Sequence, residues 1–497
     1  MKDPTLKQLQ EISALLNSSL DHATIRERAI EAATFLMNAE AGSLLLLEEN
    51  TGELYFDVAH GEKSEVVRQA RLRSGQGIAG HVARTGEPII INDVQHDARF
   101  FRHVDQASGF VTRSMVCVPV TAHGRLLGVL QAINHKDGDS FSEDDLQNFI
   151  ALGHQVGIAI ENANLYEEIH LLFEGFISAS VQAIESRDPT TSGHSQRVAA
   201  LTCRLADAVS HTNSGLYASV QFNEEQLKEL RYAAVLHDFG KVGVRENILL
   251  KSRKLYPLQQ EIIKSRFDFI KRTLEVDTLH RKLEVHEAKM SGKKQALLAQ
   301  LDRQLSRRMK ELDEMFSFIL KCNQPSSQSS AHVVKLKEIA NLDYRSYDGP
   351  RPFLTEEEVG ALSVLQGTLT PSEREEIEQH VAHTFEFLSK IPWSRTLKNV
   401  PSIAWSHHEK LDGSGYPRGL GRDQISLEAR MMTICDIYDA LTASDRPYKA
   451  AISSDVALSY IESQAGKGKL DADLVDVFKT AQVYQITQSR SATRRIA

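Results

Sequence analysis

The chain has 497 residues, and at roughly 100–200 residues per domain this length predicts two to four domains. Hydrophobic residues make up 41% and charged residues 25%, as in ordinary soluble globular proteins. The net charge of −8 argues against a protein that binds nucleic-acid polymers as a whole. The longest apolar runs fall far short of the ~18–20 residues that a membrane span needs, so we expect no span.

The cysteines indicate a reduced protein. They are scattered along the chain without any CxxC pair, which argues against a disulfide framework. The first residues, MKDPTLKQLQEI, lack the apolar core of a signal peptide. We therefore expect a cytoplasmic location. The four cysteines are Cys117, Cys203, Cys322 and Cys435.

The first 165 residues predict helices around an antiparallel sheet, which is an α+β arrangement. Ser142 and Asp145 form a capping-box signature at the start of the last helix. The predicted elements, in chain order, are a helix pair over 5–40, two strands over 42–60 with a turn at Glu49–Gly52, a turn, short helix and strand over 74–93, two strands over 113–135 with a turn at His123–Gly124, and a helix from 143.

Four stretches of this segment carry a family resemblance: SGQGIAGHVARTGEPIIIND, RSMVCVPV, GVLQAINH and FSEDD. Residues 1–165 resemble a GAF domain on these motifs. The resemblance implies a sensory or dimerising module that holds a small ligand, in some members a cyclic nucleotide. Cys117 is interpreted as a buried strand residue and not as a sensor.

Some nucleotide-binding GAF domains carry an Asn-Lys-Phe-Asp-Glu pattern. This chain matches it loosely at Asn134, Lys136, Phe141 and Asp145, with His135 interposed between the asparagine and the lysine. The alternative, which we favour, is that these residues shape a turn and the start of the next helix.

Helical spacing runs almost without a break from 143 to 187. We interpret 166–187 as a helix that connects two domains. In a homodimer, two such helices would pair as a coiled coil and transmit a twist or shift from the GAF domain. The alternative is that each helix packs only on its own domains.

Beyond residue 188 we expect an all-helical domain, with a site built from dispersed histidines. Imidazoles and carboxylates together suit iron, manganese and zinc, and five histidines with two aspartates exceed what one tetrahedral ion needs. Side chains of adjacent helical residues diverge by about 100°. The pairs His237–Asp238 and His407–His408 would therefore reach one cluster either from a helix end or from two sides of a metal pair. The candidate ligands are His194, His237, Asp238, His380, His407, His408 and Asp436.

The motifs HD…GK…HHE.LDG.GYP…D…DALTASDRPY resemble the HD-GYP subgroup of the HD phosphohydrolases over 188–460. The resemblance implies a cyclic di-GMP phosphodiesterase with a bi- or trinuclear metal centre. It makes the seven candidates metal ligands, with Asp238 bridging and also catalytic, and Lys241 a catalytic contact to phosphate. The substrate-facing positions that it implies are Lys241, Gly415, Tyr416, Pro417, Arg446 and Lys449, with Glu409 and Asp412 supporting the loop.

The resemblance further implies iron or manganese, linear pGpG as the product, and GMP if a second cleavage follows. Some members place a carboxylate four residues before the first histidine to bind a third ion, but Thr190 stands there, which favours two ions. One alternative is a regulatory module that binds cyclic di-GMP without turnover. Another is an enzyme for a different cyclic dinucleotide, such as cyclic GMP-AMP, or for a nucleotide phosphate.

An insertion over about 253–366 separates His237 from His380. Residues 255–270 resemble 369–388, which sets Arg266 against His380. We expect His380 to be the ligand; the alternative is that the two stretches share only helix patterning.

The insertion predicts a hairpin of two charged helices, with a seven-residue apolar repeat in the second, and 322–332 reads as a flexible linker. The hairpin could cap the site, dimerise, dock a protein partner or be a solvated spur. A C-terminal helix and tail over 461–497 complete the chain.

Overall fold

The computed structural model describes residues 4–60, 71–138, 140–188, 193–288, 293–325, 329–443 and 451–486. The chain divides into two compact units, Met1–Phe176 and Ile177–Ala497. None of the helices within those ranges combines the length and the apolarity that crossing a bilayer requires.

The first unit is built on a six-stranded antiparallel sheet with the order β3-β2-β1-β6-β5-β4. One face packs on α1, α2 and the first half of α5, and the other face packs on α3. The elements are α1 Pro4–Leu16, α2 His22–Leu36, β1 Ala39–Leu47, β2 Leu54–His60, β3 Arg71–Leu72, α3 Gly77–Thr85, β4 Ile89–Ile91, α4 His103–Ser108, β5 Met115–Ala122, β6 Arg125–His135 and α5 Glu143–Arg187.

Both predicted hairpin turns are present. Leu47 pairs with Leu54 across the Glu49–Gly52 turn, and Ala122 pairs with Arg125 across His123–Gly124. His123 and Gly124 have φ of 50° and 78°, the left-handed conformation that a two-residue turn with the twist of the strands requires. The α+β arrangement expected from the sequence is therefore the observed one.

Three of the four residues of the loose nucleotide-binding pattern have structural side-chain contacts. The buried Asn134 amide accepts the backbone N–H of Arg113 at 2.7 Å and donates to Glu40 at 2.9 Å. Phe141 is a core residue, and Asp145 completes the capping box with Ser142 at 2.8 Å. These contacts support the interpretation that the pattern shapes the turn and the start of α5.

Cys117 lies buried in β5, and burial raises the pKa of its thiol to about 12. The thiol is therefore an inert core group, as expected for a buried strand cysteine.

Helix α5 is a single helix over Glu143–Arg187, as its spacing predicts. Its first half lies directly against β5 because two glycines one turn apart face that strand. A Cβ on Gly157 would lie 2.3 Å from the carbonyl oxygen of Thr121, and one on Gly153 would lie 3.0 Å from that of Pro119. The two glycines thus set the close approach of helix and sheet.

We expect Gly157→Ala to destabilise the protein by about 1–3 kcal/mol, because backbone cannot yield to an added methyl group as a flexible side chain can. Gly175→Ala on the same helix is the matched control, since nothing lies within 4 Å of its added Cβ. That control should be neutral, or stabilising by up to about 1 kcal/mol through helix propensity. Urea unfolding followed by circular dichroism measures both, and equal effects would contradict the close approach of α5 to β5.

The second unit is mostly helical. Its elements after α5 are α6 His194–Ser210, α7 Glu224–Leu236, a 3₁₀ turn Phe239–Gly243, α8 Glu246–Leu249, α9 Pro257–Glu287, α10 Lys294–Cys322, α11 Ser330–Ala340, β7 Asp343–Ser346, β8 Gly349–Pro352, α12 Glu356–Leu362, α13 Pro371–Glu378, α14 His380–Leu388, α15 Val400–Ala404, a 3₁₀ turn Arg422–Gln424, α16 Leu427–Thr442, α17 Ser454–Gly466 and α18 Ala472–Thr480.

The insertion contains the predicted helical hairpin, α9 and α10. Phe267 contacts Phe316, and farther along Lys282 pairs with Asp302. In these contacts the residue number increases along α9 while it decreases along α10, so the two helices are antiparallel. They share a core with α11 and α12, and the insertion is therefore a packed subdomain and not only a solvated spur.

Sequence analysis missed one element here. Strands β7 and β8 form a two-stranded antiparallel hairpin with Asp343 opposite Pro352, where an all-helical region was expected. Each strand has only four residues, too few to show the alternation that marks a strand. Asp348–Gly349 at the turn is the one local signal.

Candidate metal centre

The seven candidate ligands converge in one place within the second unit, and the helices present them mainly at their ends. His194 is the first residue of α6, His380 is the first residue of α14, and Asp436 lies within α16. The pair His237 and Asp238 directly follows α7. The pair His407 and His408 lies in the turn after α15.

The ligand atoms form two groups of three. His194, His237 and Asp238 make one triad, and a second contains His380 with the adjacent pair His407 and His408. Within each triad the candidate ligand atoms lie within 4.8 Å of one another. We call these the first and second triads.

Asp238 links the two triads. Its Oδ2 lies 3.5 Å from Nε2 of His237, and its Oδ1 lies 3.2 Å from Nε2 of His380 in the second triad. Asp436 spans them in the same way, with Oδ1 3.2 Å from His194 Nε2 and Oδ2 3.8 Å from His408 Nδ1. Each carboxylate thus directs one oxygen towards each triad, which is the arrangement that two bridged cations require.

The pair His407 and His408 reaches one triad from a helix end, whereas Asp238 of the other adjacent pair faces both triads. The rings of His407 and His408 lie 4.0 Å apart between centroids, and both belong to the second triad. Irregular backbone after α15 lets two neighbouring side chains point the same way.

Three of the imidazoles are held by the same local contact. The Nδ1 atoms of His237, His380 and His407 lie 2.6–2.7 Å from the carbonyl oxygen three residues earlier. This contact fixes Nδ1 as the donor and leaves Nε2 as a free lone pair, the usual preparation of a metal-binding histidine.

The buried Nε2 atoms of those three histidines have no hydrogen-bond partner among the described residues. An unsatisfied buried polar atom costs about 1–3 kcal/mol. Three of them, aimed into one cluster with two carboxylates, fit bound divalent cations. The nitrogen and oxygen donors suit iron, manganese or zinc.

The protonation states agree with metal binding, which needs neutral imidazoles and ionised carboxylates. Burial lowers the pKa of His237 and His407 and brings that of His408 to about 3. Burial favours the neutral form of Asp238, but the nearby Lys241 ammonium and the imidazoles outweigh it and hold the pKa of Asp238 well below its usual range.

His194 differs from the other histidines. Burial alone would lower the pKa of its imidazole, but hydrogen bonds to Asp436 and Asp439 outweigh burial and raise the pKa to about 9. Without a metal ion, His194 is therefore held by two carboxylates, one of which belongs to the cluster.

Lys241 lies at the rim of the first triad. Its Nζ is 2.7 Å from Asp238 Oδ2 and 3.6 Å from Asp188. The 3₁₀ turn that carries it packs closely on α14, because a Cβ on Gly240 would lie 1.9 Å from the carbonyl oxygen of His380. The turn thus fixes Lys241 and His380 relative to one another.

The GYP loop lies beside the second triad. The Tyr416 ring is 4.8 Å from that of His408 between centroids, and Pro417 is exposed. Gly415 permits this path, since a Cβ there would lie 2.5 Å from the Cα of Glu409.

Glu409 and Asp412 organise the same loop. The buried Glu409 carboxylate accepts the backbone N–H groups of Arg418 and Leu420 at 2.8 and 2.9 Å. Asp412 accepts the N–H and the hydroxyl of Ser414. Both contacts agree with the supporting role inferred from the sequence.

The remaining sequence-derived candidates lie elsewhere. Arg266 bonds to Glu358 inside the insertion, so His380 and not Arg266 occupies the cluster. Arg446, Lys449 and Thr190 lie outside the described residues.

Sequence analysis missed the residues that hold the ligands. Asp439 accepts from His194 Nδ1 at 2.8 Å and pairs with the Arg197 guanidinium at 2.7 Å. The Thr433 hydroxyl donates to the backbone oxygen of His407 at 2.8 Å. Asp439 had one signal: it stands three residues after Asp436 on α16, hence on the same helix face.

We expect Asp439→Ala to weaken Mn²⁺ binding by about 10–100-fold, as loss of such outer carboxylates does, because His194 loses the partner that orients it. Asp439→Asn keeps an acceptor oxygen and should lose less. Titration calorimetry of metal-free protein measures both, with the exposed Asp423→Ala as the control. Equal affinity in Asp439→Ala and the control would contradict this role.

Comparison with domain families agrees with both units. Residues 19–161 match the GAF domain, and residues 191–314 and 357–474 each match an HD domain. The chain therefore carries a GAF domain followed by HD-family sequence. The two HD matches cover different candidate ligands of one cluster: His194, His237 and Asp238 lie in the first, and the other four lie in the second.

Curated relatives include several phosphodiesterases. The chain is 33% identical over 186 residues to the dual 3',5'-cyclic-AMP and -GMP phosphodiesterase 11 of Drosophila melanogaster, a match to 33% of this chain and 13% of that protein. It is 32% identical over 160 residues to the probable 3',5'-cyclic phosphodiesterase pde-5 of Caenorhabditis elegans, covering 30% and 22%. It is 46% identical over 96 residues to the 3'3'-cGAMP-specific phosphodiesterase 3 of Vibrio cholerae, covering 19% and 20%. The chain thus spans about a fifth or less of each relative's length.

Solved structures similar to this chain include GAF domains of phosphoenolpyruvate-protein phosphotransferases. The Acinetobacter domain is 22% identical with a TM-score of 0.30 and covers 34% of this chain and 99% of that one. The Coxiella burnetii domain is 22% identical with a TM-score of 0.31, covering 33% and 96%. Likeness at this level does not extend to function.

Proposed function

We propose that the protein is a metal-dependent phosphodiesterase that hydrolyses a cyclic dinucleotide, with cyclic di-GMP as the first candidate substrate. The observation that carries the proposal is the pair of triads joined by the two oxygens of Asp238. The first product would be linear pGpG, with GMP following a second cleavage.

Two divalent cations, iron or manganese, complete this proposal. The first triad would hold one and the second triad the other, with Asp238 and Asp436 shared between them. When bound, such a pair neutralises a phosphodiester and lowers the pKa of a bound water.

The chain's own residues have separate roles in this proposal. Asp238 holds the two triads together and keeps Lys241 close. The Lys241 ammonium contacts a phosphate oxygen and stabilises the charge that develops there. Tyr416, with the flanking Gly415 and Pro417, borders the substrate beside His408. The family resemblance implies that Arg446 and Lys449 are further basic contacts to the substrate.

A second candidate substrate is 3'3'-cGAMP. The 46% identity to the Vibrio cholerae phosphodiesterase favours it, although that match spans 96 residues. The two animal relatives add 3',5'-cyclic mononucleotides as a third class to test.

Turnover tests the proposal directly. Protein purified without oxygen and loaded with Mn²⁺ or Fe²⁺ is incubated with cyclic di-GMP, 3'3'-cGAMP, cyclic AMP and cyclic GMP, and products are separated by chromatography. We expect linear dinucleotide from one or both cyclic dinucleotides. Bound metal and bound nucleotide without any product would instead support a non-catalytic binding module.

His408→Ala should lose bound metal and at least about 100-fold of the activity, since it removes one of three ligands from the second triad. Helical content should stay unchanged by circular dichroism. His383→Ala is the matched control, because His383 is a histidine on α14 that belongs to neither triad. Near wild-type metal content in His408→Ala would contradict the ligand assignment.

Homodimerisation through α5 belongs to the same proposal. Five exposed apolar side chains follow the three-and-four spacing of a coiled coil, and the exposed fraction rises from 43% at Ile158 to 77% at Leu172. A second copy of α5 would cover them. The five are Ile158, Leu165, Ile169, Leu172 and Phe176.

We expect Leu172→Glu to convert a dimer into a monomer in sedimentation velocity, because a carboxylate in the seam is buried without a partner. Glu168→Ala, exposed on the same helix, should leave the dimer intact. Monomeric wild-type protein at micromolar concentration would refute dimerisation through this stripe.

The proposal also includes a small ligand bound in the GAF domain and a cytoplasmic location. It further includes a protein partner that binds at the insertion. Six exposed apolar side chains on α9 support a partner there. They are Leu258, Ile262, Phe269, Val276, Leu279 and Leu283.

A further inference from the structure

We infer that the last turns of α5 position the first triad, with Glu185 holding the start of α6 and Asp188 holding Lys241. That the first triad binds a divalent cation and takes part in catalysis rests on the proposed function. The positioning itself is argued from contacts within the second unit, to which residues 177–188 belong.

The end of α5 packs against the rest of the second unit through an apolar face. Ile177, Val181 and Ile184 are buried and recur at helical spacing. Val181 and Ile184 border, with Leu236 and Asp238, a gap of only about 10 Å³, too small to be more than an imperfection in close packing. This segment therefore packs directly against the residues that carry the ligands.

Glu185 caps α6 from outside that helix. The first residue before α6 is Gly193, which has φ of 68° and no side chain with which to cap. The Glu185 carboxylate instead accepts the N–H of Gly193 at 2.8 Å and that of Ser195 at 3.3 Å. A carboxylate at a helix N-terminus satisfies free N–H groups and complements the helix dipole. The two bonded residues flank His194.

The next turn of α5 contacts the other carrier of the first triad. The Arg187 guanidinium donates to the carbonyl oxygen of Val242 at 2.7 Å. Asp188 lies 3.6 Å from Lys241 Nζ, which in turn is 2.7 Å from Asp238. One helix end thus contacts both segments of the first triad: the start of α6 and the 3₁₀ turn after Asp238.

The positions of His194 and Lys241 therefore depend on the position of the end of α5. A rotation or shift of α5 would move the Glu185 carboxylate away from two N–H groups at once, and would change the distance from His194 to Asp238 and Asp436. Glu185 bonds to backbone N–H groups on either side of His194, and is a positioning residue for the cluster.

The test compares Glu185→Ala and Glu185→Gln with Gln182→Ala in the full chain. Gln182 is an exposed residue one turn earlier on α5 and is the matched control. Amide hydrogen exchange at residues 193–198 of metal-free protein reports the cap, and Mn²⁺ titration calorimetry reports the triad. Thermal unfolding separates a local effect from general destabilisation.

We expect Glu185→Ala to exchange faster at Gly193 and Ser195 and to bind Mn²⁺ about 10–100-fold more weakly, the range found for outer-shell partners of metal ligands. Glu185→Gln keeps one acceptor oxygen without the charge and should fall between the alanine variant and wild type. If Glu185→Ala does not fold, the glutamine variant still gives both readouts. Exchange and affinity equal to those of Gln182→Ala would overturn the inference.

His194→Ala distinguishes failure of this inference from failure of the proposed function. If His194→Ala loses Mn²⁺ binding while Glu185→Ala retains it in full, only the positioning role is wrong. If His194→Ala binds Mn²⁺ as wild type does, the first triad is not a metal site and the proposed function fails with it.

Discussion

The structure of the second unit depends on one constraint, which is that the buried Asp238 carboxylate must stay ionised between two groups of imidazoles. A buried charge is tolerated only when it is paired. Lys241 pairs with it at 2.7 Å, and its other oxygen faces His380. Five chain segments have to meet at this point for the cluster to form. Four of them do so at or next to a helix end, where neighbouring side chains can point the same way, and Asp436 reaches the cluster from within α16.

Much of this site could be predicted from the sequence, because chemistry that is rare in a core leaves a local signal. Adjacent pairs such as His237–Asp238 and His407–His408 are conspicuous without any fold. The glycine-rich loop after His408 and the unbroken spacing of α5 are likewise readable from residues close in sequence. Of the two similar stretches, 255–270 and 369–388, the second was expected to supply a ligand because an imidazole can bind metal and a guanidinium cannot. The structure has His380 in the cluster and Arg266 bonded to Glu358.

What could not be predicted depends on contacts between residues far apart. Asp439 bonds to His194 across 245 positions, and its one local signal, the spacing from Asp436, does not identify His194 as its partner. Glu185 caps a helix that is not its own. Strands β7 and β8 are too short to show alternation. In each case the determining partner belongs to another element, which the fold alone brings close.

The insertion has one feature with a practical consequence: the segment that enters it is bonded to the segment that leaves it. The backbone carbonyl oxygen of Lys251, before α9, accepts from the Thr368 hydroxyl at 2.9 Å, and the Lys251 ammonium pairs with Glu373 at 2.7 Å. Lys254 donates to the carbonyl oxygen of Val364 at 2.6 Å. Since the chain departs and returns at neighbouring points, this is a natural grafting junction. A fluorescent reporter that replaces α9–α12 and has its own ends equally close should leave the contacts of Lys251 with Thr368 and Glu373 in place.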